Sequence, residues 1–156
     1  PGILRLIEKN SEKYKLNHFL GEGGYPATKP PWGSLNAIDL KLGKIKWKVP
    51  LGEYKELSEK GIPKTGTENY GGALATKGNI VFASGSLDKK IRAYSSDNGR
   101  ILWEYQLPHQ SFVSPSSYMR DGVQYLIVVA TGGGVLKKKY PNLVSSGDYF
   151  IAFKLN

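Results

Sequence analysis

Leu35 to Leu51 reads LNAIDLKLGKIKWKVPL, and Ile91 to Leu107 reads IRAYSSDNGRILWEYQL. Ala37, Gly43, Trp47 and Leu51 of the first stretch match Ala93, Gly99, Trp103 and Leu107 of the second at one offset of 56 residues. Tyr149-Phe150-Ile151-Ala152-Phe153 begins a third copy that stops before any Gly or Trp. Each complete copy reads as a hairpin: alternating apolar residues, a polar turn closed by a glycine suited to positive φ, then a second strand carrying Trp. Asp39 can fold its carboxylate onto the turn backbone, and Ser95 is the weaker substitute in the second copy.

Two further strand-like runs precede the second hairpin, 72–76 and 79–84, separated by Lys77-Gly78. A similar pair precedes the third: 113–119, a turn at Arg120-Asp121-Gly122, then 123–131. Four antiparallel strands recurring at such a period are the pattern of propeller blades, which stack radially and bury their faces on one another. A sandwich also alternates but gives no reason for one Ala-Gly-Trp frame to recur. The expected fold is therefore all-β, a partial β-propeller of about two and a quarter four-stranded blades. Its divisions are an irregular segment at 1–33 and a propeller arc at 34–156, made of a half blade (34–50), a full blade (71–106) and a three-stranded blade (113–156).

Composition agrees. The chain has 156 residues, 40% of them hydrophobic, with 19 glycines, nine prolines and ten tyrosines, and almost no long run of helix formers. It carries no cysteine, which removes disulfides, thiolate metal sites and cysteine nucleophiles from this stretch. The net charge of +9 lacks an arginine-rich stripe, and only Lys137, Lys138 and Lys139 form a run, so it reads as a basic surface. The aromatic residues fall at strand positions and read as packing, and no nucleic-acid partner is expected. No apolar stretch reaches the roughly 20 residues of a membrane helix. Pro1-Gly2-Ile3 resembles neither a signal peptide nor an ordinary translated start, so the N-terminus reads as trimmed.

Strand direction alternates within a blade, so the connections sort onto two faces. One face has tight turns (40–43, 77–78, 96–99, 120–122). The other has longer loops (52–70, 85–89, 108–112, 132–148), where binding residues concentrate. Two glycine-rich segments lie there, Gly66-Thr67-Glu68-Asn69-Tyr70-Gly71-Gly72 and Ala130-Thr131-Gly132-Gly133-Gly134. Missing side chains let backbone approach either a flat ligand or another backbone. Neither segment is a phosphate loop, because no Lys-Ser/Thr follows and no helix is expected to open after it. His18 and His109 have no metal spacing and read as surface or packed residues. Ser84, Ser86 and Asp88 lack an adjacent histidine base, so no nucleophilic triad is supported. Asp88 reads equally as a turn cap and as a ligand contact.

The runs PPWGSLNAIDLKLGKIKWKVPLG, TGTENYGG, IRAYSSDNGRILWEYQLP and SGDYFIAFKL resemble, in that order, the C-terminal end of pyrroloquinoline-quinone (PQQ)-dependent glucose and alcohol dehydrogenases, over about 25–155. The Ala-Gly-Trp frame resembles that family's tryptophan-docking motif, in which each Trp wedges between blades of an eight-bladed ring; Ser95 departs from the usual Asp. The resemblance implies a periplasmic enzyme that oxidises an aldose or alcohol, with PQQ and calcium in the full-length parent and a quinone or cytochrome acceptor. Calcium ligands and the catalytic base come from earlier blades, so no catalytic or metal-ligating residue is assigned here. It also implies that Asn69, Tyr70 and Gly71 lie beside the quinone, Asp88 at a neighbouring loop, and Gly132 and Gly133 under the ring; Gly134 stands where relatives often carry histidine. The fragment alone is expected to bind no cofactor, to turn over nothing and to self-associate through its exposed edge strands. The competing reading is a non-catalytic propeller scaffold that binds protein partners.

Overall fold

The computed structural model describes residues 19–155, so His18 and most of the N-terminal irregular segment lie outside the described residues. Among the described residues nine strands form three antiparallel sheets. The first pairs β1 (Ser34–Asp39) with β2 (Lys44–Pro50). The second runs β3 (Ala73–Ala75), β4 (Ile80–Ala83), β5 (Lys90–Ser95) and β6 (Ile101–Gln106), side by side in sequence order. The third has β7 (Ser116–Arg120), β8 (Val123–Gly132) and β9 (Ser146–Leu155). This is the expected arc of half, whole and incomplete four-stranded sheets.

The repeated frame has a structural cause in both hairpins. Ala37 faces Trp47 across β1–β2, Ala93 faces Trp103 across β5–β6, and a register shift follows immediately in each, at Ala37/Ile38 and Ala93/Tyr94. A small residue opposite each indole, followed by a bulge, gives the ring room and turns the strand. Asp39 Oδ1 accepts from the Lys41 and Leu42 amides at 2.9 and 3.1 Å, whereas Ser95 Oγ accepts one bond, from Asp97, at 3.3 Å. The turn glycines Gly43 and Gly99 both have positive φ. At 77–78 the left-handed residue is Asn79, not the glycine.

Trp47 reaches into the next sheet, its Nε1 donating to the Ser96 carbonyl at 2.8 Å. Its ring covers Gly99, where a Cβ would lie 2.7 Å from the indole. Trp103 meets Phe153 of β9 edge-on at 5.2 Å.

Within the central sheet β4 and β5 are buried on both faces, as alternation along them requires, while β6 is exposed throughout. Val81 and Ala83, with Tyr94, pack on Leu35, Val49 and Leu51. Phe82, Ile91, Ala93 and Leu107 pack on Leu126, Val128 and Ala130 of β8. A third cluster joins the long loops themselves, with Tyr54, Leu87, Phe112, Leu136 and Val144 drawn from all four. The connections thus sort by face as strand alternation dictates.

Some expected boundaries shift. β7 begins at Ser116 rather than Val113, because Pro115 has no amide to give a ladder. Two short helices interrupt the loops, α1 (Lys55–Glu59) and α2 (Gly134–Lys139). α2 corrects the expectation that no helix opens after the second glycine segment: Leu136 and the three lysines favour one turn and a half of helix once Leu136 is buried.

Candidate functional site

The long-loop face is assembled by backbone contact. Asn69 bridges to Ser86, the Tyr70 amide donates to the Gly85 carbonyl at 3.2 Å, and Gly71 lies against Ser84 and Gly85 so closely that a Cβ would fall 2.6 Å from the Ser84 carbonyl oxygen. On the other side, the Gly132 amide donates to the Gln110 carbonyl and the Gly133 amide to the Ser145 carbonyl, each at 2.8 Å. Gly71 and Gly132 are therefore glycines for backbone-on-backbone packing, while nothing lies within 4 Å of a Cβ at Gly134.

The two glycine segments communicate through the third loop. Gln110, fully buried, donates from Nε2 to the Leu87 and Leu143 carbonyls at 3.0 and 2.7 Å and accepts from the Ser145 amide. Ser84 Oγ donates to the Val113 carbonyl, and the rings of Tyr70 and Phe112 meet edge-on at 6.3 Å. Sequence reasoning missed Gln110, since an isolated glutamine in a loop gives no local sign that it will be buried. His109 is packed, its Nδ1 2.7 Å from Ser145 Oγ and its ring over Gly147.

Asp88 is drawn inward. Its carboxylate accepts from Ser86 Oγ, the Lys90 and Glu53 amides and the buried Arg92 guanidinium. Arg92, 1% exposed, also reaches Glu104, and Lys90 Nζ bridges Glu53 and Glu104 at 2.8 and 2.9 Å. Burial alone would depress the Arg92 and Lys90 pKa values, but the facing carboxylates outweigh it and raise both. Burial likewise pushes Glu53 and Glu104 up, and the cations bring both below the ordinary carboxylate value.

A second polar centre escaped the sequence reading. Glu68 receives Tyr70 Oη at 2.6 Å, Lys139 Nζ at 2.6 and 2.7 Å, and Tyr140 Oη. Burial pushes its carboxyl up, but Lys139 and the phenols prevail and its pKa lies below the ordinary value. The hydrogen bond to Glu68 holds the Tyr70 phenol up at about 12. A long-range partnership of this kind, 71 residues apart for Lys139, has no sequence signature.

One recess of about 750 Å³ lies between α1, Asp88–Lys90 and Gln106, towards β6. A smaller one of about 320 Å³ runs between Trp32, Glu68, Lys139 and Tyr140. The glycine segments converge at neither, so volume alone does not locate the site. Among the described residues no group of three or more His, Cys, Asp or Glu side chains could hold a metal ion, and no helix is long and apolar enough to cross a membrane.

A radial set of antiparallel sheets tied by a cross-sheet tryptophan, with long loops on one face, defines a β-propeller arc. Residues 5–126 match the family model described as glucose/ethanol/alcohol dehydrogenase, β-propeller domain, and the chain belongs to that PQQ family. It is 37% identical over 92% of its length to a quinate/shikimate dehydrogenase (quinone) of Acinetobacter baylyi, covering 18% of that protein. It is 33% identical over 90% of its length to a quinoprotein glucose dehydrogenase of Escherichia coli, again covering 18%. Among solved structures it resembles the quinohemoprotein alcohol dehydrogenase of Comamonas testosteroni at 31% identity and a TM-score of 0.55, over 74% of this chain and 15% of that one. The chain spans less than a fifth of the curated relatives it matches.

Proposed function

We propose that this chain is the C-terminal arc of a PQQ-dependent dehydrogenase that oxidises a hydroxyl group of an aldose or alcohol, and that its long-loop face forms part of the quinone pocket wall. Membership of the PQQ propeller family carries this reading. The residues suit the group: the half-exposed Tyr70 ring offers a flat edge, and Gly133 and the open Gly134 leave room for a planar tricyclic ligand. Asn69, Tyr70 and Gly71 form one edge of the pocket and Gly132 and Gly133 another. Asp88, committed to Arg92 and to two loop amides, contributes by fixing the loop behind them.

When bound, PQQ supplies the two-electron acceptor for the oxidation of hydroxyl to carbonyl. This chain's own part is to orient and to exclude water. Tyr70 and Phe112 close an apolar edge, and Gln110 fixes the spacing of the loops. Calcium, the proton-accepting base and the final quinone or cytochrome acceptor belong, on this reading, to the rest of the parent, and its compartment is the periplasm.

The test is reconstitution. Full-length apoprotein given PQQ and calcium gains quinone absorbance and reduces a dye with glucose, ethanol, glycerol or quinate as the probe, the responding probe naming the substrate class. Protein that takes up no PQQ but captures a protein partner would replace this reading with the scaffold one.

A further inference from the structure

The Glu68 carboxylate collects donors from two loops that are far apart in sequence. Tyr70, on its own loop, stands immediately before Gly71; Lys139 and Tyr140 end the helix that opens behind Gly133. One carboxylate thus joins the segment entering β3 to the segment leaving β8. The Lys139 side chain is 16% exposed and that of Glu68 29%, so the pair is shielded from water far better than an ordinary surface ion pair. Lys139 also lies 4.9 Å from the centre of the Tyr140 ring, which packs on the loop cluster around Tyr54 and Leu136. Without Glu68 the lysine would lose its counter-charge and two phenols their acceptor, leaving the Gln110 bonds and apolar contact to hold the loops together.

We propose that Glu68 is a positioning residue: it latches the segment ahead of Gly71 to the helix behind Gly133, so that the two glycine-lined walls keep one spacing and a flat anionic quinone meets a slot already formed. The inference rests on the pocket reading above for its ligand, but the latch itself can be tested without one. Preformed walls bind more tightly because the ordering of both loops is complete before the ligand arrives.

The experiment uses the full-length apoprotein and two variants, Glu68→Gln and Tyr70→Phe. Amide hydrogen exchange is followed at Tyr70, Gly133 and Val144, with Phe82 and Ala93 as references, and PQQ affinity is measured by fluorescence titration. Glu68→Gln is expected to accelerate exchange at all three loop amides by about tenfold, leave the references unchanged, and weaken PQQ binding by about tenfold. Tyr70→Phe keeps the ring against Phe112 and removes one donor; a smaller acceleration should still reach Gly133 and Val144, across the latch. Changes confined to 68–72, or PQQ affinity within about twofold of wild type in both variants, would overturn the proposal. So would uniform acceleration that includes Phe82 and Ala93 in both variants, because Glu68 would then support the whole fold. If wild-type apoprotein takes up no PQQ, the dehydrogenase reading fails and the exchange measurements alone decide the latch.

Discussion

Gly99 and Trp47 show how much one contact can decide. Trp47→Phe loses one ring of the indole with its packing and the bond to the Ser96 carbonyl, and should cost about 1–3 kcal/mol in urea unfolding of the full-length protein. Gly99→Ala should cost about 1–3 kcal/mol, because the methyl meets the indole at a position that already requires positive φ. Arg92→Leu strands Asp88 beneath the surface and should cost about 3–5 kcal/mol by the same measure. Titration gives a separate check. The Tyr70 phenol, held at about 12 by Glu68, should return towards about 10 in Glu68→Gln, read by NMR of labelled tyrosine. The Glu68 carboxyl is faced by Lys139, Tyr140 and Tyr70, and its folded pKa is lowered. Its contribution to stability is therefore fully present above the unfolded value of about 4.3 and is lost as pH falls through the lower folded value.

At the scale of the element, the two hairpins are copies with unequal turns. Asp39→Ala removes two bonds to turn amides and should lower stability by about 1 kcal/mol, while Ser95→Ala, removing one longer bond, should cost visibly less in the same denaturant series. This difference was legible in the sequence, as were the strands, their pairing and the faces on which the loops emerge, because alternation and the Ala-Gly-Trp frame are local and repeated. The two helices were not legible. Each has six residues or fewer and too short a span for a periodic pattern; α2 buries Leu136, and α1 only half-buries Leu57 against the loop cluster. The candidate site was legible only in its glycines. Its glycines stand out in sequence, yet the residues that set their spacing, Gln110 and Glu68, act on partners many positions away. Asp88 matched two readings in sequence, and in the structure its carboxylate takes donors from Ser86, Lys90, Glu53 and Arg92.

For the molecule as a whole, the outer sheets expose faces of the kind that β4 and β5 bury. Ile38, Leu40, Leu42 and Ile45 lie open on the first hairpin, and Tyr118, Met119 and Phe150 on the third sheet. β6 and β9 are sheet edges with ladder groups available for pairing. The isolated 156-residue chain should therefore self-associate as concentration rises, which light scattering would reveal; a strict monomer at high concentration would contradict it. The seat of Trp47 also ties two hairpins into one energetic unit: its indole rests on the back of the 96–99 turn of the following sheet, so a change that distorts that turn unseats the preceding hairpin as well.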